Sequence, residues 1–292
     1  MFSASDVKTL REKTGAGMLD CKKALEENQG DMDKAIDWLR EKGISKAAKK
    51  SDRIAAEGLA QIFVDGNRAL VVEVNSETDF VAKNDEFKNL VNTIGNALVN
   101  SDVSTIEEAN NLEVNGTTIN DLVVAATAKI GEKISFRRFK RIEKTDSQSF
   151  GSYIHMGGRI ASLVLVDGNN TDAARDVAMH AAAMRPLYLN EASVPTEDLD
   201  KEKEIMRQEL LNEGKPADKI ENILVGKVRK FYEDVCLENQ IYVKAENKET
   251  VGKFLDNNKA KLVTMVRYEV GEGMEKRNDN FAEEVMNQVN GN

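Results

Sequence analysis

The sequence predicts an α+β chain, and three features predict it. Towards both ends, apolar residues recur every three or four places, as on the buried face of a helix. Two stretches in the middle, 59–74 and 153–166, read instead as extended runs folded about a Gly-containing turn. Each is followed by a helical stretch, so a hairpin-plus-helix unit occurs twice.

Residues 1–53 hold three short helices and a linker. Ser5 and Asp6 open the first helix, which carries Val7 and Leu10 and stops near Thr14-Gly15-Ala16-Gly17, where glycine permits left-handed backbone. Met18, Cys21, Ala24 and Leu25 mark one face of the second, ended by Asn28-Gln29-Gly30. Asp31 caps the third, with Met32, Ala35, Ile36 and Leu39 inward and Gly43 as its stop. So small a core is marginal alone and calls for support by docking elsewhere. Lys46 to Arg53 is basic and short of large apolar groups, a linker or a helical extension with a solvated face.

Residues 54–143 form the first sheet-containing subdomain. Leu59 to Val64 is extended, Asp65-Gly66-Asn67 is a turn signal, and Leu70 to Val74 returns as a strand. Asp85 to Val99 is a helix whose inner face is Phe87, Leu90, Val91, Ile94, Ala97 and Leu98. The span 106–124 leaves room for a short helix, and Ile134 to Phe139 reads as a third strand.

Residues 144–280 repeat that order. Tyr153-Ile154-His155 leads into a turn at Met156-Gly157-Gly158, Arg159 to Val166 is strand-like, and Asp172 to Met184 is an alanine-rich helix. Gly66-Asn67-Arg68 and Gly157-Gly158-Arg159 occupy matching turns, so two related subdomains with small antiparallel sheets are expected. Inserted in the second, at about 196–240, is a helical hairpin. Leu199, Met206 and Leu210 line its first helix, Gly214-Lys215-Pro216 breaks it with Pro216 suited to a first helical position, and Ile220, Leu224, Val228, Phe231 and Val235 line the second. Leu262 to Val270 completes the second sheet, and 281–292, with Phe281, Val285 and Val289 four apart, is a C-terminal amphipathic helix.

A chain of 292 residues exceeds the usual size of one core, and 41% apolar residues suffice for packed ones. With 41 Lys and Arg against 50 Asp and Glu, the net charge of −9 argues against direct nucleic-acid binding. The basic run Arg137, Arg138, Lys140, Arg141 reads as a solvated strand edge. Cys21 and Cys236 are far apart and make no CxxC, so buried thiols in a reducing cytoplasm are expected. The N-terminus lacks an apolar leader run, and no uncharged stretch approaches the roughly 20 residues of a membrane span.

Catalytic chemistry is hard to find. No Gly-Lys pair sits in a phosphate-cradling GxxxxGK[ST] loop. The histidines, His155 and His180, belong to no HExxH or clustered ligand set, so no metal site and no cofactor is expected. No GxSxG occurs, and His180 on its alanine-rich helix reads as packed or exposed rather than catalytic. The chain is expected not to be an enzyme.

One segment stands out. Glu77-Thr78-Asp79-Phe80-Val81-Ala82-Lys83-Asn84-Asp85-Glu86-Phe87 sets a large aromatic at a strand-to-helix transition. From the residues alone, two readings stay open: Thr78 or Asp79 caps the helix while Phe80 staples its first turn to the core, or Phe80 projects as a wedge on a rigid support.

The wider pattern resembles the elongation factor Ts family. The resemblance rests on Leu10 to Leu25 (LREKTGAGMLDCKKAL), Glu73 to Ala82 (EVNSETDFVA), Tyr153 to Ile160 (YIHMGGRI), Gly214-Lys215-Pro216 and Lys230 to Leu237 (KFYEDVCL). It implies a cytoplasmic guanine nucleotide exchange factor that binds elongation factor Tu with GDP and speeds GDP release during translation. It further implies that the N-terminal helices form a domain similar to ubiquitin-associated domains. By the same resemblance, Thr78, Asp79, Phe80 and Val81 displace the magnesium ion, with Phe80 inserting between helices of the GTPase. Arg11, Met18 and Leu19 would contact the same GTPase domain; Leu19 stands where the family commonly has a second Met, a volume-conserving swap. His155 is a further contact or a turn-stabilising residue, and the hairpin would serve partner contact or a homodimer.

Overall fold

The computed structural model describes residues 2–14 and 16–275; the expected helix at 281–292 lies outside them. The chain divides into two compact units, Met1–Gln61 with Val72–Phe139 and Glu269–Asn292, and Ile62–Val71 with Lys140–Tyr268. Among the described residues no helix is long and apolar enough to cross a membrane.

The N-terminal region is three helices, α1 (Ala4–Thr14), α2 (Met18–Glu27) and α3 (Met32–Ala48). The first starts earlier than Ser5. Ser3 Oγ accepts the Asp6 N–H at 3.3 Å, and the Asp6 carboxylate accepts the Ser3 N–H at 2.7 Å, a reciprocal cap that also lowers the Asp6 pKa. Gly17 is not left-handed but extended (φ −61°), the residue before α2. Gly15 lies outside the described residues, and among those described in this region left-handed backbone falls after α2, at Gln29 and Gly30. Leu10, Cys21, Ala24, Leu25 and Ala35 form the buried centre, with Met32, Ile36, Trp38 and Leu39 packed around it. The third helix does not stop at Gly43. It continues into the basic stretch because Gly43 is buried against Ala128 of α7 (Ile119–Ile130), and that contact supports the extra turn. Arg40 and Asp121 pair across the same junction.

The first sheet has the order β1-β2-β5, from β1 (Glu57–Asp65), β2 (Arg68–Ser76) and β5 (Ser135–Glu143), with β2 central. Gly66, at φ +55°, begins the two-residue turn joining β1 to β2. Between β2 and β5 lie α4 (Asp79–Lys83), α5 (Asp85–Val99), α6 (Ile106–Asn111), the small hairpin β3 (Glu113–Val114) and β4 (Thr117–Thr118), and α7. The faintly patterned 106–124 span thus contains a six-residue helix, a hairpin about left-handed Asn115 and Gly116, and the start of a second helix. α5 buries Phe87, Leu90, Val91, Ile94 and Leu98, as its periodicity predicts.

The second sheet has the order β6-β7-β8, from β6 (Gln148–His155), β7 (Ile160–Asp167) and β8 (Lys261–Glu269). β6 and β7 are antiparallel, in register from Gln148↔Asp167 to His155↔Ile160. α8 (Thr171–Met184) packs on them through Ala173, Ala174, Val177, Ala178 and Ala181. Small residues let it approach closely: a Cβ on Gly151 of β6 would lie 2.0 Å from the Ala174 carbonyl carbon. Both sheets therefore begin with a hairpin whose second strand is central, and both receive their third strand after intervening helices, the arrangement a duplicated unit predicts.

The hairpin insertion is α9 (Thr196–Asn212) and α10 (Ala217–Val235), followed by α11 (Val251–Asn257) before β8. Gly214 (φ +72°) ends α9, with the Lys215 N–H bonded to the Leu210 carbonyl at 3.0 Å. Pro216 stands one place before the first helical residue rather than in it. Leu210, Ile220 and Leu224 are buried, while Arg207–Glu221 (3.1 Å) and Lys227–Glu209 (3.0 Å) pair across the two helices.

Candidate partner-binding site

The site grows out of the end of the central strand β2. Ser76 Oγ donates to the Thr78 carbonyl at 3.0 Å, turning the chain out of the sheet. Thr78 then caps α4, its Oγ1 accepting the Val81 N–H at 3.4 Å. Asn84 closes α4 and caps α5, accepting the Glu86 N–H at 2.8 Å. Val81 and Ala82 turn inward and are buried, whereas Phe80 is 80% exposed. Thr78 is the cap, as one reading expected, but the apolar anchor of the turn is Val81, and Phe80 is not stapled to the core. Asp79 also faces outward. Its carboxylate takes a 2.6 Å hydrogen bond from Lys83, which holds its pKa below the usual carboxylate value. The same ammonium lies 5.8 Å from the Phe80 ring centroid. The four residues Thr78 to Val81 thus form one turn, with Asp79 and Phe80 presented and Thr78 and Val81 holding it.

Much of the support beneath this turn comes from Glu132 and Lys133, which the sequence patterns did not single out. Glu132, just after α7, accepts the Thr78 hydroxyl at 2.7 Å and the Thr78 N–H at 3.0 Å. Glu77 accepts the Lys133 N–H at 2.6 Å and the Arg53 guanidinium at 3.2 Å. The Lys133 ammonium reaches back to the carbonyls of Ser51 (2.6 Å) and Arg53 (2.9 Å). Gly131, left-handed at φ +90°, ends α7 and lets Glu132 and Lys133 follow at once.

Below the turn, β2 carries a fully buried carboxylate, Glu73. Arg137 and Arg138 of β5 donate to it at 2.9 and 2.5 Å, and the Asn75 side chain and the Gly271 N–H donate at 3.1 and 2.9 Å. Arg138 also donates to the Glu269 carbonyl at 3.2 Å, and Arg137 to that of Glu272. These two arginines are therefore not a solvated strand edge. A buried acid needs paired donors, and they supply them.

The N-terminal candidates are exposed: Arg11 on α1, Met18 (60%) and Leu19 (83%) at the start of α2. Met18 does not join Cys21, Ala24 and Leu25 inside, because it occupies the first helical position, ahead of the buried turn. His155 is exposed at the end of β6, its ring stacked on Tyr153 at 6.0 Å. Its carbonyl accepts the Gly158 N–H at 3.2 Å, so the turn is held by His155's backbone while its imidazole faces outward. The adjoining Met156 is 68% exposed.

His180 is packed, not presented. It is fully buried, with Nε2 3.0 Å from Gln240 Oε1 and Nδ1 accepting the Val243 N–H at 3.1 Å. Cys21 and Cys236 are buried free thiols, and burial pushes Cys236 up to about 11.

Residues 77–272 match the family model described as Elongation factor TS, a span of more than half the chain that begins at the braced Glu77 and takes in the presented turn, both arginines of the Glu73 cluster, the second sheet and the helical hairpin. The chain belongs to the elongation factor Ts family, the nucleotide-exchange factors of elongation factor Tu in translation.

Proposed function

We propose that this chain binds elongation factor Tu carrying GDP and speeds GDP release by inserting Phe80 into the GTPase domain, which disturbs the magnesium and phosphate contacts of the nucleotide. The observation that carries this reading is Phe80 itself, 80% exposed between residues that are capped, buried or ion-paired. A large apolar ring held in water by its own framework is a poor use of burial energy unless another protein receives it.

A GTPase grips GDP through its phosphate loop and a bridging magnesium ion, so a conformation that loses the ion holds the nucleotide less tightly. The exchange factor needs no bond-making group for this, only a higher affinity for that conformation. Linkage makes the effect reciprocal: GDP weakens factor binding as much as the factor weakens GDP binding. Burying one Phe side chain is worth only about 1.5–3 kcal/mol. Other contacts must add to it, and Arg11, Met18, Leu19 and His155 are the exposed side chains we assign to them. On the hairpin, Ile205, Leu211 and Val225 are exposed and offer a further surface to the GTPase or to a second copy of the chain.

The test is stopped-flow release of fluorescent GDP from elongation factor Tu. Phe80→Ala should slow catalysed release by about tenfold or more while much of the binding survives. Release at wild-type speed would remove Phe80 from the mechanism.

A further inference from the structure

Beneath the presented turn lies a small polar hub that the family resemblance did not point to. Glu132 spends both carboxylate oxygens on Thr78, one on its hydroxyl (2.7 Å) and one on its N–H (3.0 Å). Thr78 is the cap on which α4 is built, and Phe80 is the second residue of α4. Lys133, next in the chain, donates its N–H to Glu77 at 2.6 Å and its ammonium to the carbonyls of Ser51 and Arg53. Arg53 returns to Glu77 at 3.2 Å. Two consecutive residues thus fix both residues that lead into the Phe80 turn, and one of them also grips the segment that follows α3.

We propose that Glu132 and Lys133 are positioning residues for nucleotide exchange: Glu132 holds the cap that aims Phe80, and Lys133 ties Glu77, the residue before that cap, to the Ser51–Arg53 segment descending from the N-terminal helices. This rests on the exchange reading given above. A helical turn of five residues is too short to hold its own direction. Its aim is set by what grips its first residue, and charge-assisted hydrogen bonds to a half-buried carboxylate grip firmly. Neither residue needs to touch the GTPase. Their effect is to keep Phe80 in the orientation that enters it, so that binding energy is not consumed in ordering the turn.

The experiment follows catalysed GDP release against factor concentration, separating the limiting rate from the half-saturating concentration. Glu132→Ala should lower the limiting rate about tenfold and move the half-saturating concentration by less than about threefold. Glu132→Gln, which keeps the shape and one acceptor, should fall between it and wild type, and carries the test if the alanine variant does not fold. Lys133→Met should show a smaller loss of limiting rate, about threefold. The double variant Phe80→Ala with Glu132→Ala should release GDP no more slowly than Phe80→Ala alone, because Glu132 acts through the ring. A limiting rate for the folded Glu132 variants within about twofold of wild type, or additive losses in the double variant, would overturn the proposal. Amide hydrogen exchange on the free protein separates the two readings. If Phe80→Ala releases GDP at wild-type speed, the exchange role of the ring fails, and protection of the Thr78 amide decides the brace: loss in Glu132→Ala supports it, and unchanged protection refutes it.

Discussion

Two central strands, β2 and β7, lead into helices by different routes, and the proposed exchange role rests on the difference. After β7 the chain uses three residues. Gly168 turns at φ +112°, pressed to the Lys259 carbonyl, and Asn170 caps α8 by accepting the Ala173 N–H at 3.0 Å. After β2 the chain inserts α4 before a second cap, Asn84, starts α5. Phe80 sits on that inserted turn. The sheets share a strand order, so the order itself does not set them apart; the proposed exchange role rests on the extra turn and the residues bracing it. The strands differ inside as well. β2 buries Glu73, Asn75 and Ser76, whereas Ser162 is the buried polar residue of β7.

That second contrast yields the largest effect. Glu73→Ala removes the buried carboxylate shared by the half-buried Arg137 and Arg138 and frees the Gly271 N–H. Removing one partner of such a cluster should cost about 3–5 kcal/mol, read from urea unfolding. Ser162→Ala in β7 removes a buried hydroxyl that has no hydrogen-bond partner and should change stability by less than about 1 kcal/mol. Equal costs for the two substitutions would break the distinction between an ionic and an apolar central strand.

Next comes the close approach of α8 to β6. Gly151→Ala would set a methyl 2.0 Å from backbone that cannot give way without lifting α8. A loss of about 3 kcal/mol, near the upper end for overpacking, is expected in thermal or urea denaturation. Gly66→Ala, at a turn where added carbon meets nothing within 4 Å, carries only its positive-φ strain and should cost about 1 kcal/mol.

The connection itself can then be exchanged. Replacing Glu77–Asn84 with Gly-Asn-Asn, the route taken after β7, should leave a folded chain by circular dichroism and reduce catalysed GDP release by about a hundredfold. A folded graft with undiminished exchange would show that the inserted turn is not the lever.

Much of this architecture was legible because local chemistry and tertiary packing agree. The period of α5, the turns at Gly66 and Met156-Gly157-Gly158, and the Gly214-Lys215-Pro216 break all mark real boundaries. Misreadings occurred where packing overrode local signals. Gly43 looks like a helix end, but Ala128 lies 85 positions away in sequence and its contact keeps the helix going. α7, with its run of Leu, Val and Ala, shows no polar face by which to recognise a helix. The hairpin at Asn115-Gly116 carried a usable signal, an Asn-Gly pair, that the short flanking strands diluted. Phe80 was legible as an oddity whose direction the residues alone left open; it faces outward because Val81 and Ala82 take the inward positions of the turn. Glu132 and Lys133 were not legible, because their partners stand 54 and 56 residues away and nothing in a Gly-Glu-Lys sequence announces them. Arg137 and Arg138 looked like solvent-facing charge for the same reason: their carboxylate lies 64 and 65 residues earlier.

The smallest effect tests the second sheet's own buried titratable group. His180 Nδ1 accepts the Val243 N–H, so Nε2 carries the proton and donates to Gln240 Oε1. Protonating Nδ1 would set two N–H groups against each other, and burial already lowers the His180 pKa below its ordinary 6.5. The unfolded chain therefore binds the proton more readily than the native one. His180's contribution is complete above pH 6.5 and is lost as pH falls through that value towards the lower native pKa. The slope is at most about 1.4 kcal/mol per pH unit for one proton. Urea midpoints at about pH 7.5 and pH 5.5 should show wild type losing about 1 kcal/mol more than His180→Gln, a neutral substitute that cannot take up the proton. Equal losses in the two proteins would mean that carboxylates elsewhere govern the acid limb, and that the His180–Gln240–Val243 contacts tolerate a charged ring.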